Sequence, residues 1–140
     1  MNFNDTVKEF LHRHRISVLT VLTPEGAPHS ATVHFAWDEA RNVFVFFTHV
    51  DTLKYQFVKD GATKASLVIG FDEKEFTTVQ MRGTAKVLEE ASSREVYLEK
   101  FSHLREGAND ETVVFLEFDP QWYRYTDMKE KPPVLFSSEE

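Results

Sequence analysis

The stretch VFVFFTHVDTLKYQF, residues 43–57, contains an abrupt change of pattern on which the interpretation of the whole chain depends. Residues 43–47 are all β-branched or aromatic, which predicts a buried strand. Residues 51–59 then predict a short helix. Two hydroxyls and a cation lie where the strand gives way to the helix: Thr48, Thr52 and Lys54. Helix N-termini carry unpaired N–H groups that suit anions. The junction therefore predicts either a capped helix with an exposed lysine or a phosphate site.

Strand patterns of the same kind occur on both sides of this junction. We predict six strands, at residues 16–22, 28–37, 43–48, 64–71, 76–89 and 113–118, and a last extended piece at 121–127. Turns rather than long crossovers separate most neighbours, so the sheet should be mainly antiparallel. Together with three short helices, these strands predict a mainly β (α+β) domain in the form of a small barrel flanked by helices.

Three of the predicted strands argue for a second subunit. Residues 43–47, 65–69 and 113–116 are almost continuously apolar, with Ser66 the one polar residue, which is typical of strands that are covered on both faces. One face can line the barrel, but three short helices are too few to cover all the other faces. We therefore expect a homodimer. The alternative is that the helices and the C-terminal segment provide the cover.

The composition of the chain excludes several classes of function. A net charge of −7 over 140 residues argues against a broad nucleic-acid surface. The lack of cysteine excludes disulfides, thiolate metal sites and cysteine nucleophiles. The six histidines form no metal-binding motif, so we expect no metal. We see no secretory signal and no apolar run near the ~20 residues that span a membrane, and we expect a cytoplasmic protein without membrane contacts.

Two of the predicted strands each have one polar but nearly uncharged face. On the second strand this face carries Ser30, Thr32 and His34, and on the fifth it carries Thr78, Gln80, Arg82 and Thr84. Small hydroxyls, an amide and a cation without a carboxylate suit the wall of a ligand site. An ordinary exposed strand face is the alternative interpretation of each row.

Three segments, in this order, carry a resemblance to a known family: ISVLTVLTPEGAPHSATVHF (16–35), VFVFFTHVDTLKYQF (43–57) and TTVQMRGTAKVL (77–88). Together they resemble the pyridoxamine 5′-phosphate oxidase-like split β-barrels that bind flavin mononucleotide (FMN). The resemblance implies a six-stranded antiparallel split β-barrel with flanking short helices. It also implies one FMN-binding domain over residues 1–128, a loosely held tail over 129–140, and a homodimer with cofactor sites at the interface.

The resemblance also assigns roles to individual positions. The second strand lies along the isoalloxazine ring, through Ser30, Ala31, Thr32, Val33 and His34. The ribityl phosphate is held by Thr48, Thr52 and Lys54. Gln80 and Arg82 reach the cofactor from the fifth strand, and Trp122 lies near the ring.

The chain departs from the true oxidases at three positions. Ala31 and Leu53 stand where those enzymes carry phosphate-binding arginines, and Ala36 stands where they carry a lysine for the substrate phosphate. We therefore expect an FMN-binding flavoprotein that is not a true pyridoxamine phosphate oxidase and whose hold on the phosphate is reduced.

Two functional interpretations remain open. The first is a flavin-dependent oxidoreductase of unknown small substrate, in which His34 and Arg82 are the only candidate acid–base groups. The second is a non-catalytic module that binds or senses flavin, haem or a deazaflavin, with His34 or His49 as the axial ligand in the haem case.

Overall fold

The computed structural model describes residues 1–138, which form a single curled, antiparallel sheet with short helices around it. The strands are β1 (Ile16–Leu22), β2 (Pro28–His34), β3 (Ala36–Asp38), β4 (Val43–His49), β5 (Thr63–Ile69), β6 (Thr77–Val87), β7 (Val113–Asp127) and β8 (Val134–Ser137). The helices are α1 (Asp5–Arg13), α2 (Leu53–Val58) and α3 (Ala91–Lys100), followed by two 3-10 turns, Ser102–Leu104 and Glu106–Asn109. The strand order is β2-β1-β5-β6-β7-β4-β3, with β8 paired to β7. The predicted mainly β split barrel is confirmed.

The described residues form eight strands rather than the six predicted. The predicted strand 28–37 is divided at Phe35, where the chain changes partner: β2 pairs with β1, and β3 pairs with β4. Segments 113–118 and 121–127, predicted as separate pieces, form the single long strand β7. A register shift in its pairing with β6, between Arg82 and Gly83, absorbs the irregularity around Pro120. Gly83 is required there, because a Cβ atom would lie 1.9 Å from the carbonyl oxygen of Asp119.

The tail differs from the loosely held segment that we expected. Within it, β8 forms an antiparallel pair with the end of β7, and the ring of Phe136 stacks on Tyr125 with centroids 5.6 Å apart. Ser138 closes the pair, because its N–H donates to the Tyr123 carbonyl oxygen and its hydroxyl accepts from the Tyr123 N–H. Residues 139–140 of the predicted tail lie outside the described residues.

Apolar side chains from the concave face of the sheet form the main core. Strand alternation places every second residue inside, so that Phe44, Phe46, Leu67, Ile69 and Met81 are almost completely buried. From one end of the barrel, α2 contributes Val58 and the partly buried Tyr55 and Phe57 to this core.

A second apolar cluster lies between α3 and the outer side of β4 and β7. Val45 and Phe115 pack there against Tyr97, Leu98 and Phe101. This cluster explains two of the three almost continuously apolar strands, because α3 provides the cover for which we expected a second subunit. The outer side of β5 lies outside this cluster, with Ser66 and Val68 half-buried.

A buried polar network anchors α3 to the sheet. Ser93 is completely buried; its hydroxyl donates to Asp38 Oδ2 at 2.6 Å and accepts from Arg41 Nη1 at 2.7 Å. The guanidinium of Arg41 also pairs with the buried carboxylate of Glu117 at 3.3 Å. The groups of this network satisfy one another, which is what a buried cluster of charges requires. No helix within residues 1–138 is long and apolar enough to cross a membrane.

Candidate functional site

The junction between β4 and α2 brings the two predicted hydroxyls together. Thr48, only 3% exposed, lies at the end of β4 with its Oγ1 3.0 Å from Oγ1 of Thr52. Thr52 is the N-cap residue of α2, and its hydroxyl donates to the His49 carbonyl oxygen at 2.9 Å. Because that bond uses the single proton of Thr52, Thr48 is the donor in the hydroxyl pair. Either hydroxyl must rotate before it can donate to an anion.

Thr52 occupies the N-cap position of α2 and makes no side-chain bond to the helix. In the first turn of this helix, Leu53 points outward and is 55% exposed. Lys54 is half-buried, and this burial lowers the pKa of its amine. Among residues 1–138 the amine has no hydrogen bond or ion pair. A half-buried cation without a counter-charge is a costly arrangement that an anionic ligand would relieve.

Within residues 1–138, the edge of the sheet at β2 presents backbone groups that no further strand pairs. Phe35 N–H donates to the Arg15 carbonyl oxygen, and Thr23 N–H donates to the Ala27 carbonyl oxygen. These two bonds show which residue pairs of β1 and β2 are hydrogen-bonded. In an antiparallel pair the bonded residues alternate. The backbone groups of Ser30, Thr32 and His34 therefore point away from β1, toward the open edge.

The side chains of β2 follow the same alternation. Ser30, Thr32 and His34 are exposed, Val33 is buried, and Ala31 lies between these extremes. Beyond His34 the alternation ends, because Phe35, Ala36 and Trp37 are all buried at the change of partner. Ala36 therefore belongs to the α3 cluster and not to the polar wall.

The β2 edge and the α2 junction are neighbours. Helix α2 contacts both β1 and β2, and the ring of Phe57 packs edge-to-face on His29 with centroids 5.5 Å apart. Strand β2 also contacts β4 across the gap of the split barrel. The structure thus gathers eight predicted positions in one region: Ser30, Ala31, Thr32, Val33, His34, Thr48, Thr52 and Lys54.

The remaining predicted positions form a second group, on the outer faces of β6 and β7. Gln80 and Arg82 are exposed, and the Arg82 guanidinium lies 4.0 Å from the centre of the Trp122 ring. The indole Nε1 of Trp122 is buried and has no hydrogen-bond partner among residues 1–138. A buried donor without an acceptor costs free energy, so this indole marks a place where an acceptor would be bound favourably.

One chain does not bring the two groups together. Strands β1 and β5 lie between β2 and β6, so three strand spacings, about 14 Å, separate Thr32 from Gln80. Trp122 lies one strand further, on β7, so about 19 Å separate it from Ser30. A single planar ring cannot contact both groups in one copy.

The surface between the two groups was not singled out from the sequence. The hydroxyl of Thr20 lies 2.7 Å from that of Ser30, and Thr20 and Ser66 help to line a shallow cavity of about 180 Å³ beside Lys64. The signal was present in residues 16–22, where Thr20 and Leu22 alternate with the buried Leu19 and Val21.

Comparisons with known proteins agree with this architecture. The family model for pyridoxamine 5′-phosphate oxidase matches residues 3–127. No curated protein matches the chain in sequence.

Several solved structures share the fold at low sequence identity. A protein of Clostridium acetobutylicum related to general stress protein 26 of B. subtilis is 19% identical, with a TM-score of 0.68 over 94% of this chain and 91% of its own. An FMN-binding protein of Nostoc punctiforme related to pyridoxamine 5′-phosphate oxidase is 16% identical, with a TM-score of 0.71 over 98% and 90%. The haem storage protein HutZ of Vibrio cholerae is 14% identical, with a TM-score of 0.70 over 86% and 92%.

Proposed function

We propose, since the chain belongs to the pyridoxamine 5′-phosphate oxidase family, that it binds FMN as a homodimer and acts as a flavin-dependent oxidoreductase on a small molecule. The observation that carries this proposal is the half-buried amine of Lys54, which has no partner among residues 1–138 and belongs to the first turn of α2, where the hydroxyls of Thr48 and Thr52 meet. The FMN-binding neighbour from Nostoc punctiforme supports the choice of cofactor.

The phosphate of FMN fits the α2 junction. The phosphate would supply the counter-charge that is missing around the Lys54 amine. The two threonine hydroxyls could rotate to donate to the phosphate oxygens. With Ala31 and Leu53 at the positions of the family's arginines, Lys54 is the single cation among these phosphate positions.

The isoalloxazine ring fits the edge of β2. One end of the ring carries an N–H between two carbonyl groups, and a free strand edge offers both N–H and C=O groups. Thr32 and His34 supply such groups toward the gap, and the small side chains of Ser30 and Ala31 leave room for a flat ring. FMN supplies the hydride and electron chemistry when bound, and the chain supplies its hold, its orientation and the polarity around it.

The second group of residues requires a partner copy. Gln80, Arg82 and Trp122 lie too far from β2 to reach the same ring, so in the proposed dimer they complete the site of the other subunit. The unpaired Trp122 indole N–H and the Arg82 guanidinium would then donate to the cofactor across the interface. We propose that the outer face of β1, β5 and β6 forms this interface, because Ile16 remains 45% exposed there and Val68 is half-buried.

The visible spectrum of the purified protein tests the proposal. We expect two absorption bands typical of oxidised flavin, either as purified or after FMN is added, with one FMN per chain and a dimer in solution. A colourless protein that leaves the fluorescence of added FMN unchanged at roughly micromolar concentrations, equivalent to ~8 kcal/mol of binding, would falsify the proposal.

Haem binding is the second candidate, and HutZ is the observation that favours it. His34 and His49 are both exposed and could serve as axial ligands; the ring of His34 packs against Phe101, and that of His49 against Phe47. A single intense Soret band on addition of haemin, lost in a His34→Ala or His49→Ala variant, would select this alternative.

A further inference from the structure

Lys100 lies at the end of α3 in surroundings that the proposed flavin site does not use. Its Nζ donates to the carbonyl oxygen of His14, the residue that caps the C-terminus of α1. The same nitrogen lies 4.5 Å from the centre of the Phe35 ring and 5.9 Å from that of Phe101. These three contacts hold the amine in one position.

Burial and one neighbouring cation favour the neutral form of this amine. Burial, followed by repulsion from the guanidinium of Arg15, lowers the pKa of Lys100 to about 8. The other titratable groups nearby are His12 on α1, Glu99 on α3 and His34, whose ring contacts Phe101. His14, whose carbonyl oxygen accepts from the amine, has its own ring paired with Glu75. None of them forms an ion pair with Lys100 among the residues that the structure describes. A desolvated lysine beside a second cation is the environment that makes an amine nucleophilic at neutral pH.

A cavity opens at this side chain. It has a volume of about 340 Å³ and is lined by His12, Ala36, Trp37, Val96, Glu99 and Lys100. Three of these residues give it an apolar wall between α1 and α3, over β3. The volume is sufficient for a molecule of a few non-hydrogen atoms, and none of the predicted FMN-binding residues lines it.

We propose that Lys100 is a nucleophilic amine that condenses reversibly with small aldehydes admitted by this cavity. The lone pair of Nζ attacks the carbonyl carbon and forms a C–N bond. The carbonyl oxygen leaves as water, taking up one proton from the amine and one from solvent, and a protonated imine remains on Lys100. No oxidant or reductant takes part, and hydrolysis reverses the step. This reaction is independent of the flavin proposal.

Reductive trapping tests the inference. The full chain is treated with acetaldehyde and sodium cyanoborohydride between pH 6 and 10, and ethylation of each lysine is followed by peptide mass spectrometry. At pH 7.5 an amine with the pKa of Lys100 is about one quarter neutral, against ~0.1% for an ordinary lysine. Allowing for restricted access, we expect Lys100 to react at least about tenfold faster than the exposed Lys59 and Lys86. Equal or slower labelling of Lys100 overturns the proposal.

Two variants separate a reactive amine from a structural one. Arg15→Gln removes the repelling charge, so the pH midpoint for labelling of Lys100 should move upward from about 8. Lys100→Arg keeps a donor for the His14 carbonyl and should retain the circular dichroism spectrum of the folded protein. Ethylation at position 100 should be lost in this variant. A purely structural role would leave the labelling rate and midpoint at those of exposed lysines. FMN content, measured on the same samples, reports the flavin site separately.

Discussion

Replacing Lys54 by methionine tests the phosphate assignment directly. The substitution removes the ammonium group and keeps an unbranched apolar side chain of similar length, so the packing of α2 on the core should survive. Among residues 1–138 the amine has no hydrogen bond or ion pair, so the change leaves no protein group without its partner. Any loss of binding can therefore be assigned to the ligand.

The expected loss follows from the surroundings of Lys54. A charge-assisted hydrogen bond contributes about 1.5–3 kcal/mol, and partial exposure of the amine weakens the attraction through solvent screening. Ala31 and Leu53 offer no second cation at their positions to compensate. We therefore expect a loss of about 2 kcal/mol, which corresponds to about a thirtyfold weaker Kd for FMN.

Fluorescence titrations with FMN and with riboflavin provide the assay. Riboflavin lacks the phosphate, so its Kd should change by less than about twofold in the variant. Lys59→Met, at the exposed C-terminal end of α2, is the matched control and should leave both affinities unchanged. Equal losses for FMN and riboflavin, or no loss for either, would refute the assignment of Lys54 to the phosphate.

Three further predictions concern the scaffold around the site. Ser93→Ala leaves Asp38 and Arg41 without their shared partner and should lower the free energy of unfolding by about 1–3 kcal/mol in urea denaturation. Gly83→Ala places a Cβ atom against the Asp119 carbonyl oxygen and should cost about 3 kcal/mol or prevent folding, as read from yields and Tm. The pKa of Glu75 is lowered chiefly by its hydrogen bond to Arg13, so its stabilisation is present above pH 4.5, the ordinary value, and is lost as pH falls through the lowered value. Glu75→Gln should flatten the dependence of stability on pH in that acidic range.

Each of these substitutions has a matched control at a nearby or comparable position, which should have little effect on stability. Ser92→Ala, on the exposed side of the first turn of α3, should alter stability by less than about 0.5 kcal/mol. Gly107→Ala meets no atom within 4 Å and should be tolerated. Glu73→Gln, in the same turn as Glu75 and exposed, should alter the free energy of unfolding by less than about 0.5 kcal/mol. A control variant that changed stability as much as its test variant would contradict the physical cause given for that prediction.

The sequence predicted the parts of the fold that depend on local patterns. The alternation within the predicted strand 76–89 placed Gln80 and Arg82 on one face, and in the structure both are exposed while the intervening Met81 is buried. The junction at Thr48 and Thr52 was also visible, because an apolar run ended there and a helical pattern began.

The features that the sequence did not predict depend on contacts between distant segments. No local signal at Phe35 shows that β2 and β3 pair with different strands, because both halves have strand propensity. The cover that α3 gives to β4 depends on where the helix packs, so an apolar strand alone could not distinguish a helix from a second subunit. The sequence did not indicate Lys100, because its environment is assembled from the end of α1, the connecting residues Arg15 and Phe35, and β3.

The division at Phe35 also has a mechanical consequence. Strands β2 and β3 are the two ends of the strand order, yet a single residue joins them, so the polypeptide itself fastens the opposite rims of the sheet. The ring of Phe35 is completely buried, so this connecting residue cannot move outward without exposing the hydrophobic core to solvent. The gap between β2 and β4 therefore has a fixed width at the Phe35 end. It can widen only at the opposite end, where α2 lies.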